Sequence, residues 1–212
     1  MAGHSSVPVV NALSDDFHPL QTVADLLTMH EALAPSAAGP GLGLDGLRVA
    51  WVGDSNNVLF DLATGCVKAG VDIAVASPPG YGIPPAMRRV IAAAADGVDR
   101  PGRLEETTAP EEAVRGADVI VTDTWVSMGQ EADQKKRLAA FAGYQVTDEL
   151  ARRGGAKDGW RFMHCLPRHR EEVADDVFYG PRSLVFPEAE NRLWAAVATL
   201  EALVVNKGRI EP

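Results

Sequence analysis

The chain has 212 residues, with 20 Lys and Arg against 29 Asp and Glu, so its formal net charge is −9. This length suits one large domain or two small ones and can bury a sizeable core. The acidic balance argues against non-specific binding to nucleic acid or to an anionic membrane surface. No apolar run approaches the roughly 20 residues of a membrane-spanning helix. Two cysteines, Cys66 and Cys165, are too few for a disulfide framework or a CxxC zinc site and favour a reducing compartment.

Apolar periodicity and turn residues divide the chain into alternating helices and strands. An apolar face with an early proline predicts a leader helix over 18–34, and a Pro- and Gly-rich flexible connection follows it. The next elements in chain order are strand 47–52, helix 57–69, strand 71–76, helix 84–95, strand 103–107, helix 110–115 and strand 117–122. The second half continues with helices 131–141 and 148–153, strand 161–165, a helical turn at 171–177, strand 183–186 and a long helix from 188 to about 205. This alternation predicts a doubly wound parallel sheet flanked by helices, a Rossmann-like α/β fold.

In an open parallel sheet, ligands bind beyond the carboxyl ends of the strands. The segments expected there are GDSNN at 53–57, DTWVSMG at 123–129, HCLPR at 164–168 and PEAENR at 187–192. A dinucleotide site would need a G-x-G-x-x-G turn, whereas GDSNN has a single glycine, so this class of ligand is disfavoured. The two asparagines of GDSNN suit a zwitterionic or carboxylate-bearing ligand, and they also suit a simple turn and helix cap.

Two of these segments carry reactive side chains. The carboxylate of Asp123 suits a ligand ammonium group, although a strand-end aspartate can also cap the following turn. Cys165 lies beside His164, and positive charge nearby would lower the pKa of its thiol. Adjacent strand residues point to opposite faces, however, so adjacency does not establish a Cys–His pair, and the residues by themselves predict a buried and unreactive cysteine. Cys66 lies inside a predicted helix and is assigned to packing.

Three further residues suit a ligand with an oxyanion or a carbonyl oxygen. His18 and Gln21 are three positions apart at the start of the leader helix, so both can donate to one oxygen near its N-terminus. The alternative for His18 is a surface residue at a helix cap. Arg192 is predicted in the first turn of the last helix, where a cation opposes the helix dipole. It indicates an anionic partner unless it pairs with Glu188, one turn earlier.

Taken together, these segments make the chain resemble the ornithine carbamoyltransferases. The signatures HPLQ at 18–21, GDSNN, DTWVSMG, HCLPR and FPEAENR at 186–192 occur in the family's order. The Ser-Met-Gly sequence separates the ornithine enzymes from their aspartate-specific relatives, and FPEAENR is closer to the eukaryotic form. The similarity runs from about Val7 to the end of the chain. It covers the C-terminal, ornithine-binding portion of such an enzyme.

The resemblance implies transfer of a carbamoyl group from carbamoyl phosphate to the side-chain amine of L-ornithine, giving citrulline and phosphate in arginine biosynthesis and the urea cycle. It implies no cofactor and no metal. The implied ornithine-binding residues are Asn57, Asp123, Ser127 and Met128. The residues implied to contact carbamoyl phosphate are His18, Gln21, Cys165, Leu166 and Arg192. Asp123, Cys165 and His18 would be the catalytic residues, and the Leu166–Pro167 peptide bond would be cis.

The physical chemistry of the reaction agrees with those implied roles. The attacking amine has a lysine-like pKa of about 10.4 and must lose a proton before it attacks. Asp123 and Cys165 would orient this amine and influence its proton affinity. His18 and Gln21 would donate to the carbonyl oxygen as it becomes an oxyanion, which is worth roughly 2.7–4 kcal/mol per donor. Arg192 would balance the charge of the departing phosphate.

The family's Ser-x-Arg-Thr phosphate-binding motif, which belongs to a separate first domain, does not occur in these 212 residues. We therefore expect a leader and connection over 1–46, an ornithine-binding α/β domain over 47–187, and a helix over 188–212 that would pack on an absent carbamoyl-phosphate domain. Full-length members form homotrimers built largely from that domain. We expect the chain alone to have little or no turnover and do not expect it to complete a trimer.

Several alternatives stay open at this point. The chain could be a non-catalytic ornithine-binding or regulatory module, or a carbamoyltransferase for another amine such as acetylornithine or putrescine. The eukaryotic resemblance implies the mitochondrial matrix, with the cytoplasm as the alternative. Residues 1–6 have neither an apolar nor an Arg-rich targeting pattern, and a transit peptide would precede the first domain, so the sequence does not decide between the two.

Overall fold

The computed structural model describes residues 2–34, 41–126 and 131–209. In these residues, five parallel strands form one sheet with the order β3-β2-β1-β4-β5. The strands are β1 (Arg48–Val52), β2 (Asp72–Ala76), β3 (Leu104–Thr107), β4 (Val119–Thr122) and β5 (Arg161–His164). The strand order reverses between β1 and β4, so the loops that follow these two strands border the crevice where ligands bind in such sheets. The predicted doubly wound α/β fold is confirmed.

Helices cover both faces of the sheet. They are α1 (Pro19–Leu33), α2 (Asn57–Lys68), α3 (Pro85–Ala93), α4 (Pro110–Ala113), α5 (Gln134–Ala140), α6 (Asp148–Gly154), α7 (Asp175–Phe178) and α8 (Val185–Leu200). Short 3₁₀ turns occupy Ala2–His4 and Glu131–Asp133, and a π-helical turn at Glu201–Val205 continues α8. None of the described helices is both long and apolar enough to span a bilayer.

The central strand β1 explains the two cores, because its side chains alternate between the faces of the sheet. Val49 and Trp51 belong to a core with residues of α1, α2 and α3, whereas Ala50 and Val52 belong to a second core with residues of α4 and α6. All four side chains are buried, as expected for a parallel strand covered on both faces.

The helices α1 and α8 pack against each other through polar as well as apolar contacts. The Nδ2 atom of Asn191 in α8 donates to Thr28 Oγ1 at 3.0 Å and to Glu31 Oε2 at 2.8 Å, both in α1. Both Asn191 and Thr28 are buried. Buried polar groups of this kind need specific partners, so these contacts fix how the two helices sit against each other.

One predicted element is wrong. Residues 183–186 do not form a strand: Ser183 makes only an isolated bridge to Phe162, and α8 already begins at Val185. The short apolar run there suits a buried strand or a buried helix equally well. Pro187 is compatible with the helix because the first turn needs no backbone donor at that position.

This correction changes the setting of the last signature. PEAENR lies within α8 and not beyond a strand, and the predicted helix over 188–205 begins three residues earlier. Arg192 is the eighth residue of α8, so the prediction that it lies in the first turn, opposed to the helix dipole, was wrong. The predicted helical turn at 171–177 is displaced to α7, and the helix predicted at 131–141 consists of a 3₁₀ turn followed by α5. The predicted connection over 35–46 lies partly outside the described residues.

Close packing around Gly102 generates the first prediction. A Cβ atom added there would lie 1.8 Å from the backbone oxygen of Val71. Gly102→Ala must therefore shift the backbone just before β2, and we expect it to lower the free energy of unfolding by ~1–3 kcal/mol. Urea unfolding followed by tryptophan fluorescence measures this loss. The matched control is Gly82→Ala, whose Cβ would have no atom within 4 Å; equal losses in the two variants would contradict the packing explanation.

Candidate functional site

The buried carboxylate of Asp123, which follows β4, lies at the centre of the carboxyl edge of the sheet. Its side chain is 5% exposed. Oδ2 accepts a hydrogen bond from Asn56 Nδ2 at 2.6 Å, and Oδ1 accepts one from Cys165 Sγ at 3.0 Å. The segments after β1, β4 and β5 therefore meet at this one group. Among the described residues, no Lys or Arg nitrogen forms an ion pair with it.

Asn56 is one of the two asparagines of GDSNN that the sequence offered for a ligand or a helix cap, whereas the resemblance implied Asn57 as the ornithine-binding residue. Asn56 caps α2, since its Oδ1 accepts from the backbone nitrogens of Val58 and Leu59, and its amide is then free to donate to Asp123. The side chain of Asn57 points elsewhere and donates to the Ser14 carbonyl oxygen at 2.6 Å. The cap position itself was a usable signal, because an N-cap asparagine at a strand-to-helix turn faces the ligand edge.

The thiol of Cys165 is a hydrogen-bond donor in this site. Burial and the neighbouring Asp123 carboxylate raise its pKa well above its ordinary value. The prediction that nearby positive charge would lower this pKa was wrong, because acidic groups surround the thiol. The imidazole of His164 is turned away from it: Nε2 lies 3.1 Å from Glu172 Oε2, and Nδ1 accepts from the backbone nitrogen of Leu166. The two neighbours therefore form no nucleophilic pair.

The side-chain ligand atoms of Asp123, His164 and Cys165 lie within 4.8 Å of one another. Such a set is a candidate for a metal ion, but its atoms are already engaged. Both ring nitrogens of His164 have partners, and the thiol donates its proton to the carboxylate. The cluster is thus explained by hydrogen bonds within the protein.

Glu172 organises the turn that follows β5, although no pattern in the sequence points to it. Its buried carboxylate accepts from the backbone nitrogens of Trp125 at 3.2 Å and His169 at 2.7 Å, in addition to its contact with His164. Burial opposes ionisation, but the hydrogen bonds from the two histidines outweigh it and hold the pKa of Glu172 below its usual value. Leu166 lies in the same turn with a φ of 64°, and its peptide bond to Pro167 is cis, as the resemblance implied.

His18 and Arg192 lie close enough to influence each other, although they belong to different ends of the chain. Burial, followed by the charge of Arg192, lowers the pKa of His18, so its imidazole is neutral at pH 7. Buried nitrogens of both residues, His18 Nδ1 and Arg192 Nη1, have no hydrogen-bond partner among the residues that the structure describes. Within the described residues Arg192 forms no ion pair, so the alternative that it pairs with Glu188 is wrong. These orphaned groups suit an anionic ligand with a carbonyl or phosphoryl oxygen.

Gln21 does not join these two residues. Its amide points into the protein and donates to Asp25 and Glu188. Ser127 and Met128, predicted from the Ser-Met-Gly sequence, lie outside the described residues.

A buried ion pair connects α5 to the segments that follow β1 and β4. Arg137 of α5 pairs with Asp54, the residue that follows Gly53 after β1, and their side chains are 11% and 10% exposed. The Nε atom of Arg137 also donates to the Trp125 carbonyl oxygen at 2.5 Å, and its guanidinium lies 4.9 Å from the centre of the Tyr81 ring. Burial raises the pKa of Asp54 to about 6, while the charge and hydrogen bond of Arg137 act in the opposite direction.

Removing one member of this pair should be more harmful than removing both. Arg137→Leu leaves the Asp54 carboxylate buried without its cation, and we expect a loss of ~3–5 kcal/mol in the free energy of unfolding. The double variant Asp54→Asn with Arg137→Leu should recover part of it. Urea unfolding measures both losses. The control is Lys135→Leu, which changes an exposed residue of the same helix. Equal losses in Arg137→Leu and Lys135→Leu would contradict a buried ion pair.

Comparison with known proteins agrees with the motifs and the geometry. Residues 45–203 match the family model described as the Asp/Orn binding domain of aspartate/ornithine carbamoyltransferase, and residues 1–31 match that family's carbamoyl-P binding domain. The mitochondrial ornithine carbamoyltransferase of Aspergillus niger is 65% identical over 213 residues, which is 100% of this chain and 58% of that protein.

Solved structures extend this similarity to the fold. The crystal structure of a mitochondrial ornithine carbamoyltransferase from Coccidioides immitis superposes with a TM-score of 0.91 at 61% identity, over 99% of this chain and 63% of that one. The ornithine carbamoyltransferase of Pyrococcus furiosus gives 0.83 at 41% identity, over 94% and 60%. The chain thus spans about three fifths of the relatives it matches. It belongs to the aspartate/ornithine carbamoyltransferase family.

Proposed function

We propose that the chain is the ornithine-binding part of an ornithine carbamoyltransferase, which moves the carbamoyl group of carbamoyl phosphate to the side-chain amine of L-ornithine. The observation that carries this proposal is the buried Asp123 carboxylate, held between Asn56 and Cys165 and forming no ion pair within the described part of the chain. A carboxylate in that setting is suited to a cationic ligand group. The names of the relatives, ornithine carbamoyltransferases from Aspergillus niger and Coccidioides immitis, support the same choice of substrate.

In this proposal, Asp123 faces the ammonium groups of ornithine, and Asn57, Ser127 and Met128 complete its site. Asn57 would exchange its hydrogen bond to Ser14 for one to the ligand. Asn56 then acts as a positioning residue, because it holds Asp123 from the cap of α2.

The carbamoyl phosphate side of the reaction falls to His18 and Arg192. Neutral His18 can donate to the carbonyl oxygen as the amine nitrogen attacks the carbonyl carbon. When the bond between carbon and phosphate oxygen breaks, the guanidinium of Arg192 balances the charge of the departing phosphate. Cys165 and Leu166 line the reaction centre; the protonated thiol orients the amine through Asp123 and does not act as a nucleophile. Gln21 would contribute only after releasing its two carboxyl partners.

We further propose that residues 188–212 pack on a carbamoyl-phosphate-binding domain. Large apolar side chains of α8 and the turn after it are exposed: Leu193, Trp194, Val197, Leu200, Val204 and Val205. Residues 1–31 match that domain's family model, and α1, which lies largely in these residues, packs against α8. This supports an interface between the two domains at α8. The mitochondrial matrix is the proposed compartment, on the basis of the names of the relatives.

Ornithine binding tests the first proposal directly. Asp123→Asn removes the charge opposite the ligand ammonium, and we expect L-ornithine to bind at least ~30-fold more weakly, since a lost partner of a buried charge is worth about 2 kcal/mol or more. Titration calorimetry on the full chain measures the change. Asp99→Asn, which removes an exposed carboxylate, should bind like the unchanged chain. Tighter binding of putrescine or acetylornithine than of ornithine would identify a different acceptor.

Citrulline formation tests the division of labour. We expect little or no citrulline from the chain alone and measurable citrulline after addition of the carbamoyl-phosphate-binding domain of the Aspergillus niger relative. Turnover by the chain alone at the rate of the intact relative would contradict the proposal of a separate domain. Ornithine binding without any citrulline in either mixture would favour a non-catalytic ornithine-binding module.

A further inference from the structure

Two acidic side chains are buried in contact between α1 and α8. Asp25 and Glu188 are 2% and 1% exposed. The amide nitrogen of Gln21 lies 2.8 Å from Asp25 Oδ1 and 3.1 Å from Glu188 Oε1, so one donor reaches both carboxyl groups. Oδ1 of Asp25 and Oε1 of Glu188 thus lie within 3.1 Å of one atom, so the two buried carboxyl groups are direct neighbours. Two carboxyl oxygens can hydrogen-bond each other only when one of them carries a hydrogen.

No cation neutralises this pair. Among the described residues, no Lys, Arg or His nitrogen lies within 4.0 Å of either carboxyl group. Arg192, one turn beyond Glu188, acts on Asp25 only through longer-range charge. Two adjacent carboxylates that are both ionised and buried would repel each other and would lack the solvation of water, so the favourable state keeps a proton.

The second carboxyl oxygen of Glu188 reaches the end of the sheet. Its Oε2 accepts from the backbone nitrogen of His164 at 2.8 Å, and His164 is the last residue of β5, directly before Cys165. We propose that Asp25 and Glu188 retain a shared proton at neutral pH, and that this proton makes Glu188 the positioning residue of the turn that carries Cys165. Without the proton, two like charges would separate α1 from α8 at the point where α8 holds the end of β5.

The groups around the pair are mostly acidic or neutral. From each neighbouring element, the titratable residues that act on it or touch it are His18 before α1, Cys66 in α2, Asp123 after β4, His164 and Cys165 at the end of β5, and Arg192 in α8. Burial raises the pKa of Asp25 to about 7, and that of Glu188 well above its ordinary value. The charge of both residues in turn raises the pKa of the Cys165 thiol, which connects the pair to the candidate site.

The pair therefore makes folding depend on pH with a defined sign. Both carboxyl groups bind their protons more tightly in the folded chain than in the unfolded chain. Their contribution to stability is complete below about pH 4, where both states are protonated, and it is lost progressively as the pH rises through 7. The lowered pKa of Glu172 acts with the opposite sign at acidic pH, so variants must be compared with the unchanged chain at each pH.

Three measurements on the full chain test this proposal, and none of them needs ornithine or carbamoyl phosphate, so its failure is distinct from failure of the proposed function. We expect an infrared carbonyl band of a protonated carboxyl group at pH 8 that disappears in Glu188→Gln. The fall in melting temperature between pH 5 and pH 8.5 should shrink to about half or less in the same variant. In the double variant Asp25→Asn with Glu188→Gln, alkylation of Cys165 by iodoacetamide should shift to lower pH, because a nearby negative charge is gone.

Matched variants distinguish an effect of the shared proton from a loss of side-chain packing at Glu188. Glu188→Gln keeps an oxygen for His164 but puts an amide nitrogen where the oxygen accepts from Gln21, so we expect it to fold with some loss of stability. Glu188→Ala, which loses both acceptors, should be destabilised more at every pH. Glu190→Gln, on the exposed face of α8, should behave like the unchanged chain. If Glu188→Gln does not fold, the same two measurements are made on Asp25→Asn: the infrared carbonyl band at pH 8 and the change in melting temperature between pH 5 and pH 8.5. Persistence of the band and of the full pH dependence in a folded variant of either residue would overturn the proposal.

Discussion

Burial of the Asp123 carboxylate constrains the whole ligand edge of the sheet, because a buried carboxylate needs hydrogen-bond donors on fixed atoms. The donors come from Asn56, which caps α2 after β1, and from Cys165, which follows β5. The carboxyl ends of three strands are thereby tied to one side chain. The other contacts of this edge, through Glu172 and through Arg137, hold the backbone on either side of Trp125 so that this arrangement persists.

The site separates negative from positive charge over a short distance. On one side lie the carboxylate of Asp123 and the thiol of Cys165, whose raised pKa keeps it neutral. On the other side lie Arg192 and the neutral imidazole of His18, both with an unsatisfied buried nitrogen. An amine would be drawn to the first side and a phosphate to the second, which agrees with the proposed transfer of a carbamoyl group between such reactants.

The sequence predicted the fold well because alternating buried strands and capped helices are local patterns. It failed at 183–186, where an apolar run without a period of two or 3.6 could belong to either element. It offered both asparagines of GDSNN without separating them, because the cap geometry that directs Asn56 toward Asp123 becomes visible only in three dimensions. It also misjudged the environment of Cys165, since acidic partners distant in the sequence outweigh the histidine next to it. The contact of Gln21 with Glu188 spans 167 positions and has no local signature.

Long-range contacts place α1 with the α/β domain, although its sequence matches the family model of the other domain. By sequence, α1 falls almost entirely within residues 1–31, which match the model of the carbamoyl-P binding domain, whereas the Asp/Orn binding domain begins at 45. By packing, it belongs to the α/β domain, because its buried polar residues Gln21 and Thr28 find their partners on α8. If α1 separated from α8, water would replace these partners, and the Asp25 carboxyl group would lose its contact with the side chain of Glu188. The division between the two family models therefore separates α1 from α8, the helix with which α1 makes these hydrogen bonds. Because His18 precedes α1 and Arg192 lies in α8, a ligand that contacts both residues would act on the packing of the two helices.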